Sequence, residues 1–303
     1  MEYQMRLVDW ALLLILSLLW GGSFFFIEVA LQEVTPLVVV WGRVGLAAFI
    51  LVVLVRLKGL EFPKDKKIWL GFFVMGLLNN AIPFSLIVWG QVEITSSLAS
   101  IFNATTPLFT ILLAQILTQD EKLNWTKGTG VIFGFLGVVI MVGIEAMNGL
   151  GTAIFAQIAI LIAATSYGCA AIWGRRFKGL NPMVIAMGQV ICSSIVMTPL
   201  ALFFGFPDGY FLPSTDVILA IAGMAFFSTV LAYILYFRIL ATSGASNLML
   251  VTFLIPVSAI ALGSLLLGES LELSQVIGMI LILLGLLVID GRMLRNKRMK
   301  SKP

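Results

Sequence analysis

The chain has 303 residues, of which 60% are hydrophobic and 11% charged, with no histidine; an ordinary soluble domain carries roughly 25% charged residues. That balance excludes a soluble enzyme and identifies an integral membrane protein. The net charge of +4 does not call for a nucleic-acid partner, because basic residues beside a bilayer meet an anionic leaflet.

Ten apolar stretches can be marked in chain order, at 9–31, 36–55, 68–90, 95–117, 128–146, 152–174, 183–204, 215–237, 245–267 and 273–290. Each is close to the ~20 residues that cross a bilayer as a helix. Their glycines and prolines, without apolar–polar alternation, favour helices over a barrel. The first stretch, behind Arg6 and ending in Gly21, Gly22 and Ser23, is long for a signal-peptide core and reads as a retained span. Of the nineteen Lys and Arg residues, all but Arg43 fall in the N-terminal lead, alternate gaps and the tail: Arg6, Arg56 to Lys67, Lys122, Lys127, Arg175, Arg176, Lys178, Arg238 and Arg292 to Lys302. The opposite gaps carry Glu33, Glu93, Glu145, Asp208, Glu269 and Glu272 with no Lys or Arg. Positive residues in short loops stay inside, so both termini are expected in the cytoplasm of a multi-pass cytoplasmic-membrane protein. Cys169 and Cys192 lie inside apolar spans and read as small buried hydrophobes.

The stretch "TPLVVVWGRV" at residues 35–44 returns as "NPMVIAMGQV" at 181–190, so Pro36, Gly42, Arg43 and Val44 recur as Pro182, Gly188, Gln189 and Val190. Trp20 and Gly21 match Tyr167 and Gly168, Pro107 matches Pro256, and Glu121, Gly130, Gly137 and Gly143 recur at the same spacing as Glu269, Gly278, Gly285 and Gly291. Each copy holds five spans, an odd number, so the second enters from the opposite side. The all-α fold expected is therefore ten transmembrane helices in two inverted five-helix repeats, at 1–147 and 148–291, followed by a basic cytoplasmic tail at 292–303. In secondary transporters such repeats put the substrate site near the midplane between the halves, with alternating access by rocking.

"WGGSFFFIEVALQEVTPLVVVWGRVGLAAFIL", "SSLASIFNATTPLFTILLAQIL" and "LIPVSAIALGSLLLGESLELSQVIGMILILLGLLVI" resemble the two repeats of the drug/metabolite transporter superfamily, EamA type. The resemblance covers nearly the whole chain. It implies a ten-helix exporter or permease of small metabolites, amino acids or similar, with helices 1, 3, 4, 6, 8 and 9 around a central cavity and helices 5 and 10 peripheral. It names no single substrate, and the preference for export rests on it alone.

Several polar residues are then candidates for substrate contact. Arg43 lies about 10 Å below the outer surface at 1.5 Å per residue, where a charge is expensive and functional by default; the alternative is a structural contact at a helix break. Glu28 stands where relatives resembling this chain carry Lys, and either pairs with Arg43 or lines the cavity as a proton-titrating group. Asn79 and Asn80 in the third span, and their counterparts Ser228 and Thr229, should face the bundle interior, as helix glue or as cavity lining. Pro107 and Pro256 are expected to act as matched hinges that free the carbonyls of Asn103 and Thr252, whose polar side chains either satisfy the freed backbone or face the cavity; a kink that serves packing alone is the alternative. Trp20, Tyr167 and Tyr233 are the aromatic lining candidates, with anchoring in the interfacial belt as the alternative, while the glycines of spans five and ten are assigned to close helix packing. Glu121 and Glu269 are placed at a helix end next to the start of the following helix, where a carboxylate can cap free N–H groups.

The expected partners are a small-molecule substrate and the lipid bilayer, with no nucleic acid; a monomer is compatible with the sequence. No metal or other cofactor is expected, since the spans offer no cluster of His, Cys or paired carboxylates and no phosphate-cradling Gly-Lys-Ser/Thr motif. An intramembrane enzyme is the weakest reading, and a structural or receptor-like bundle is the alternative to a transporter.

Overall fold

The computed structural model describes residues 6–118, 125–147, 152–207 and 209–290. Glu121, Lys122, Asp208 and the tail from Arg292 lie outside them. The described segments are helical because, in hydrocarbon, backbone N–H and C=O groups must find partners within their own segment. Seven helices are long and apolar enough to cross a membrane, and three shorter apolar ones complete the ten marked in the sequence. We number them α1 (Leu7–Ala30), α2 (Pro36–Leu57), α3 (Lys66–Gly90), α4 (Ser96–Leu117), α5 (Trp125–Met147), α6 (Thr152–Gly174), α7 (Pro182–Phe204), α8 (Thr215–Gly244), α9 (Val251–Leu266) and α10 (Leu273–Asp290).

The echo that opens each copy has a local meaning. Pro36 and Pro182 begin α2 and α7, at the position where a missing N–H costs nothing and the fixed φ suits a helix. α8 ends at Gly244, whose φ of 76° and ψ of 166° turn the chain toward α9; glycine is the residue that reaches this region without strain.

The repeats interlock. α1 packs on α8 and α9, and α6 packs on α3 and α4, while α2 meets α7 and α5 meets α10. Each contact either has a counterpart with the repeats exchanged or is its own counterpart, as an inverted repeat requires. The α5–α10 pair is peripheral, and its glycines let the backbones touch: a Cβ on Gly137 would lie 2.5 Å from the Gly278 carbonyl oxygen, and one on Gly130 would lie 2.5 Å from that of Gly285. Backbone cannot step aside as a side chain can. Gly137→Val is thus expected to cost about 1–3 kcal/mol, seen as a lower unfolding temperature in detergent. An unchanged melting curve would mean that this contact is dispensable.

The prolines behave unequally. Pro107 sits at the start of the second part of α4, Thr106–Leu117, after a break at Ala104 and Thr105 that follows Ser96–Asn103. Pro256 lies inside the continuous α9. Each repeat breaks before its proline but at a different distance: in the second, a short helical stretch to Leu248 is followed by a turn at Met249 and Leu250, six residues before Pro256; irregularities at matched positions lie in α3 and α8.

Candidate functional site

α3 and α8 each contain a π turn, Leu77–Ala81 and Phe226–Leu231. The shift that maps Pro107 onto Pro256 also maps Leu77 onto Phe226. A π turn holds one extra residue, disturbs the helical ladder and is frequent at functional sites. In the first repeat Pro83 contributes, since it has no N–H to give the Asn79 carbonyl. Serines of the other repeat meet neighbouring carbonyls of this helix: Ser166 of α6 donates to that of Leu78 at 2.7 Å and Ser193 of α7 to that of Gly76 at 3.1 Å. Asn79–Asn80 and Ser228–Thr229 occupy these turns, and Asn80, Ser228 and Thr229 are at most 1% exposed.

Arg43, 6% exposed, points into the same layer. Its Nε donates to the Thr229 hydroxyl at 3.0 Å, its Nη1 donates to that of Ser23 at 3.2 Å, and its guanidinium lies 3.7 Å from the centre of the Phe84 ring. All three partners are neutral. Among the described residues no carboxylate reaches Arg43, and the ion pair found is Arg6–Asp9 on the basic side. A guanidinium carries five N–H donors, so several remain for a ligand.

The inverted counterpart of this contact completes the cluster. Gln189, the residue matched to Arg43, accepts from the Asn79 amide at 3.0 Å, so each copy's α2-type helix reaches the π turn of the other copy. Tyr233 Oη accepts from Asn79 at 3.3 Å and from Asn80 at 3.4 Å, and Tyr167 lies within electrostatic reach of Arg43 and Tyr233. Asn80 Oδ1 and Ser228 Oγ are buried without a hydrogen-bond partner. Arg43, Asn79, Asn80, Tyr167, Thr229 and Tyr233 thus come together, joined by Ser23, Phe84 and Gln189, with Ser228 in the same turn. α2 and α7 contribute to the centre alongside helices 1, 3, 6 and 8, which the resemblance did not imply. Gln189 was visible as the residue matched to Arg43, whereas nothing in the sequence singled out Ser23 or Phe84.

The other candidates stand apart. Glu28 does not pair with Arg43; its carboxyl lies beside the Gln91 side chain with Glu269 in electrostatic reach, and its Oε2 is buried and unpartnered. Trp20 packs against Tyr236 with the rings tilted and their centres 5.9 Å apart. Asn103 Oδ1 is buried without a partner while its carbonyl accepts from Thr106. The Thr252 hydroxyl is spent on the Met249 carbonyl at 2.7 Å.

The two ends of the bundle differ. On the acidic side three carboxylates hold helix starts across the repeat boundary. Glu269 accepts the Ser96 and Ser97 N–H groups at 2.8 and 2.9 Å, together with the Ser97 hydroxyl. Glu33 accepts the Ser214 N–H at 2.7 Å, and Glu93 accepts the Thr152 hydroxyl at 2.5 Å. Carboxylates suit helix starts, where N–H groups are free and the dipole is positive; the Ser214 contact holds the Glu33 carboxyl below its ordinary range. Glu269 caps α4, in the other repeat, rather than the α10 that follows it. On the basic side a cavity of about 250 Å3 opens between α2, α7 and α8 and reaches Tyr233.

The family of EamA-like transporters matches the chain twice, over residues 9–143 and 154–290. An uncharacterized transporter of Archaeoglobus fulgidus is 25% identical over 287 residues, covering 92% of this chain and 98% of its own. A protein of Escherichia coli named "Probable amino-acid metabolite efflux pump" is 27% identical over 290 residues, covering 92% and 94%. A protein of known crystal structure superposes with a TM-score of 0.69 over 97% of this chain and 99% of its own at 16% identity, a likeness of fold. Two matched repeats, ten apolar helices and a polar cluster at their interface lead to one conclusion: the chain belongs to the EamA-like transporter family.

Proposed function

We propose that this protein exports small carboxylate-bearing metabolites of the amino-acid class by alternating access, with its basic side and both termini in the cytoplasm. The observation that carries the reading is Arg43. A buried cation held by two hydroxyls and a ring lacks the counter-charge that burial normally demands, and a substrate carboxylate would supply it in bidentate form. Asn80 Oδ1, buried and unpartnered beside Tyr233, is an acceptor suited to the ammonium group of the same molecule. The carboxylate contacts across the acidic side and the cavity on the basic side support a state that takes up cargo from the cytoplasm, and the name of the Escherichia coli relative supports both export and the amino-acid class.

The test is counterflow in proteoliposomes with radiolabelled phenylalanine, glutamate and the amine phenethylamine. The reading expects exchange of one or both carboxylates and none of the amine. Exchange of the amine alone would overturn it.

A further inference from the structure

Lys58 follows the end of α2, and Arg238 lies on α8. Both line the mouth of the cavity that ends at Tyr233, with Asn181 and Met183 from the start of α7 on the third wall. The topology of the chain calls for cations on this side, but it does not require two of them to converge on one opening. Among the described residues neither makes an ion pair. Asp9 meets α8 one turn beyond Arg238, where it accepts from the Thr242 hydroxyl at 3.0 Å, and it is held by Arg6 at 3.2 Å. The cavity lining thus carries two cations and no carboxylate, and the Asp65 carboxylate of the adjoining loop caps the start of α3 through the Lys67 N–H at 2.8 Å. The cavity leads past Ile234 and Phe237 to the Tyr233–Asn79–Gln189 chain.

We infer that Lys58 and Arg238 form a second, outer station for anions: a loading mouth that gathers carboxylates from the basic side and turns away cationic amines. This rests on the reading of a carboxylate cargo and narrows it, because selection by net charge then begins before the central site is reached. Cleft cations with low-dielectric walls concentrate counter-ions and raise their encounter rate. Arg43 at depth and two cations at the mouth give a carboxylate a favourable potential along the whole inward path, with weak binding first and charge-paired binding last.

The test needs no knowledge of the cargo. In a protein with Cys169 and Cys192 replaced by Ala, a cysteine at Ile234, or at Met183 should the first variant fold poorly, is exposed in inside-out vesicles to two thiosulfonate reagents of opposite charge. These are sulfonatoethyl and trimethylammonioethyl methanethiosulfonate, with rates normalised to a free thiol. The anionic reagent should react at least about fivefold faster, and molar salt, which shrinks the Debye length to about 3 Å, should remove the preference. Lys58→Gln with Arg238→Gln should remove it too, whereas Lys64→Gln, on the same side but away from the cavity, should leave it intact. Equal rates for the two reagents, or a preference that survives the double substitution, would overturn the inference. A preference of the expected kind in a protein that exchanges no carboxylate would keep the mouth and discard the cargo.

Discussion

Arg43→Ala is expected to abolish carboxylate transport while leaving the protein folded. Truncating one partner of a buried charged contact costs about 2–5 kcal/mol, and 1.4 kcal/mol is tenfold, so kcat/KM should fall by roughly one and a half to three and a half orders of magnitude. Stability should move little. The partners left behind are hydroxyls that can turn to other acceptors, as Thr229 already does toward the Met224 carbonyl at 3.2 Å, and the lost group is a charge without a counter-ion. Arg43→Gln is the sharper variant because it copies Gln189, keeps an amide to meet Thr229 and loses only the charge and the fork of donors. It should transport as poorly as the alanine variant. Arg43→Lys restores charge without the planar fork or the stacking on Phe84 and should recover a minor part. Full exchange by the glutamine variant would reduce Arg43 to a structural link between α1, α2 and α8.

Glu269→Gln is expected to loosen the acidic end. The carboxylate of Glu269 receives three donors from the first residues of α4, and the amide offers one acceptor oxygen and no charge to the helix dipole. Losing charge-assisted bonds costs about 1.5–3 kcal/mol, which shifts a two-state equilibrium about tenfold to a hundredfold. Ser100, fully buried one turn below the cap, serves as the reporter. In a Ser100→Cys protein free of native cysteines, reaction with an impermeant thiol reagent from the acidic side should rise by that factor. No change would mean that the side is closed by packing and not by Glu269. Glu33 adds a dependence on pH. Because its carboxyl is held low here by Ser214, its contribution is complete above the ordinary carboxylate range and is lost as the pH on that side falls from that range through the lowered value. Acid should therefore raise the reactivity of the Ser100→Cys reporter in the same direction as Glu269→Gln.

Much of this architecture is legible in the residues. Ten spans follow from the mean length of apolar runs, and the echo of Pro36 to Val44 in Pro182 to Val190 discloses the repeat before any coordinates. Arg43, Asn79 and Asn80 stand out because polarity in hydrocarbon must be accounted for. The partner of Glu28 was not legible, because a short loop between spans one and two suggests proximity while α1 packs mainly on α8 and α9. The hydroxyls of Ser23, Ser166 and Ser193 were hidden for another reason: a small hydroxyl in an apolar helix leaves no periodic trace and gains meaning only from the carbonyl or guanidinium it meets. Pro107 and Pro256 do not by themselves mark the irregular turns, since a proline that opens a helical segment and one carried inside a helix look alike in sequence.

The π turns bear on how such a chain arose. Each is a helix with one residue too many, and an inserted residue that persists must have been tolerated when it appeared. Both halves hold theirs at the same place, with different residues around it, asparagines in one and serine and threonine in the other. Independent insertion at matched points is the less economical history. A single five-helix ancestor that already carried the bulge, paired head to tail with a copy of itself, would hand it to both descendants on fusion, after which Arg43 and Gln189 were free to diverge.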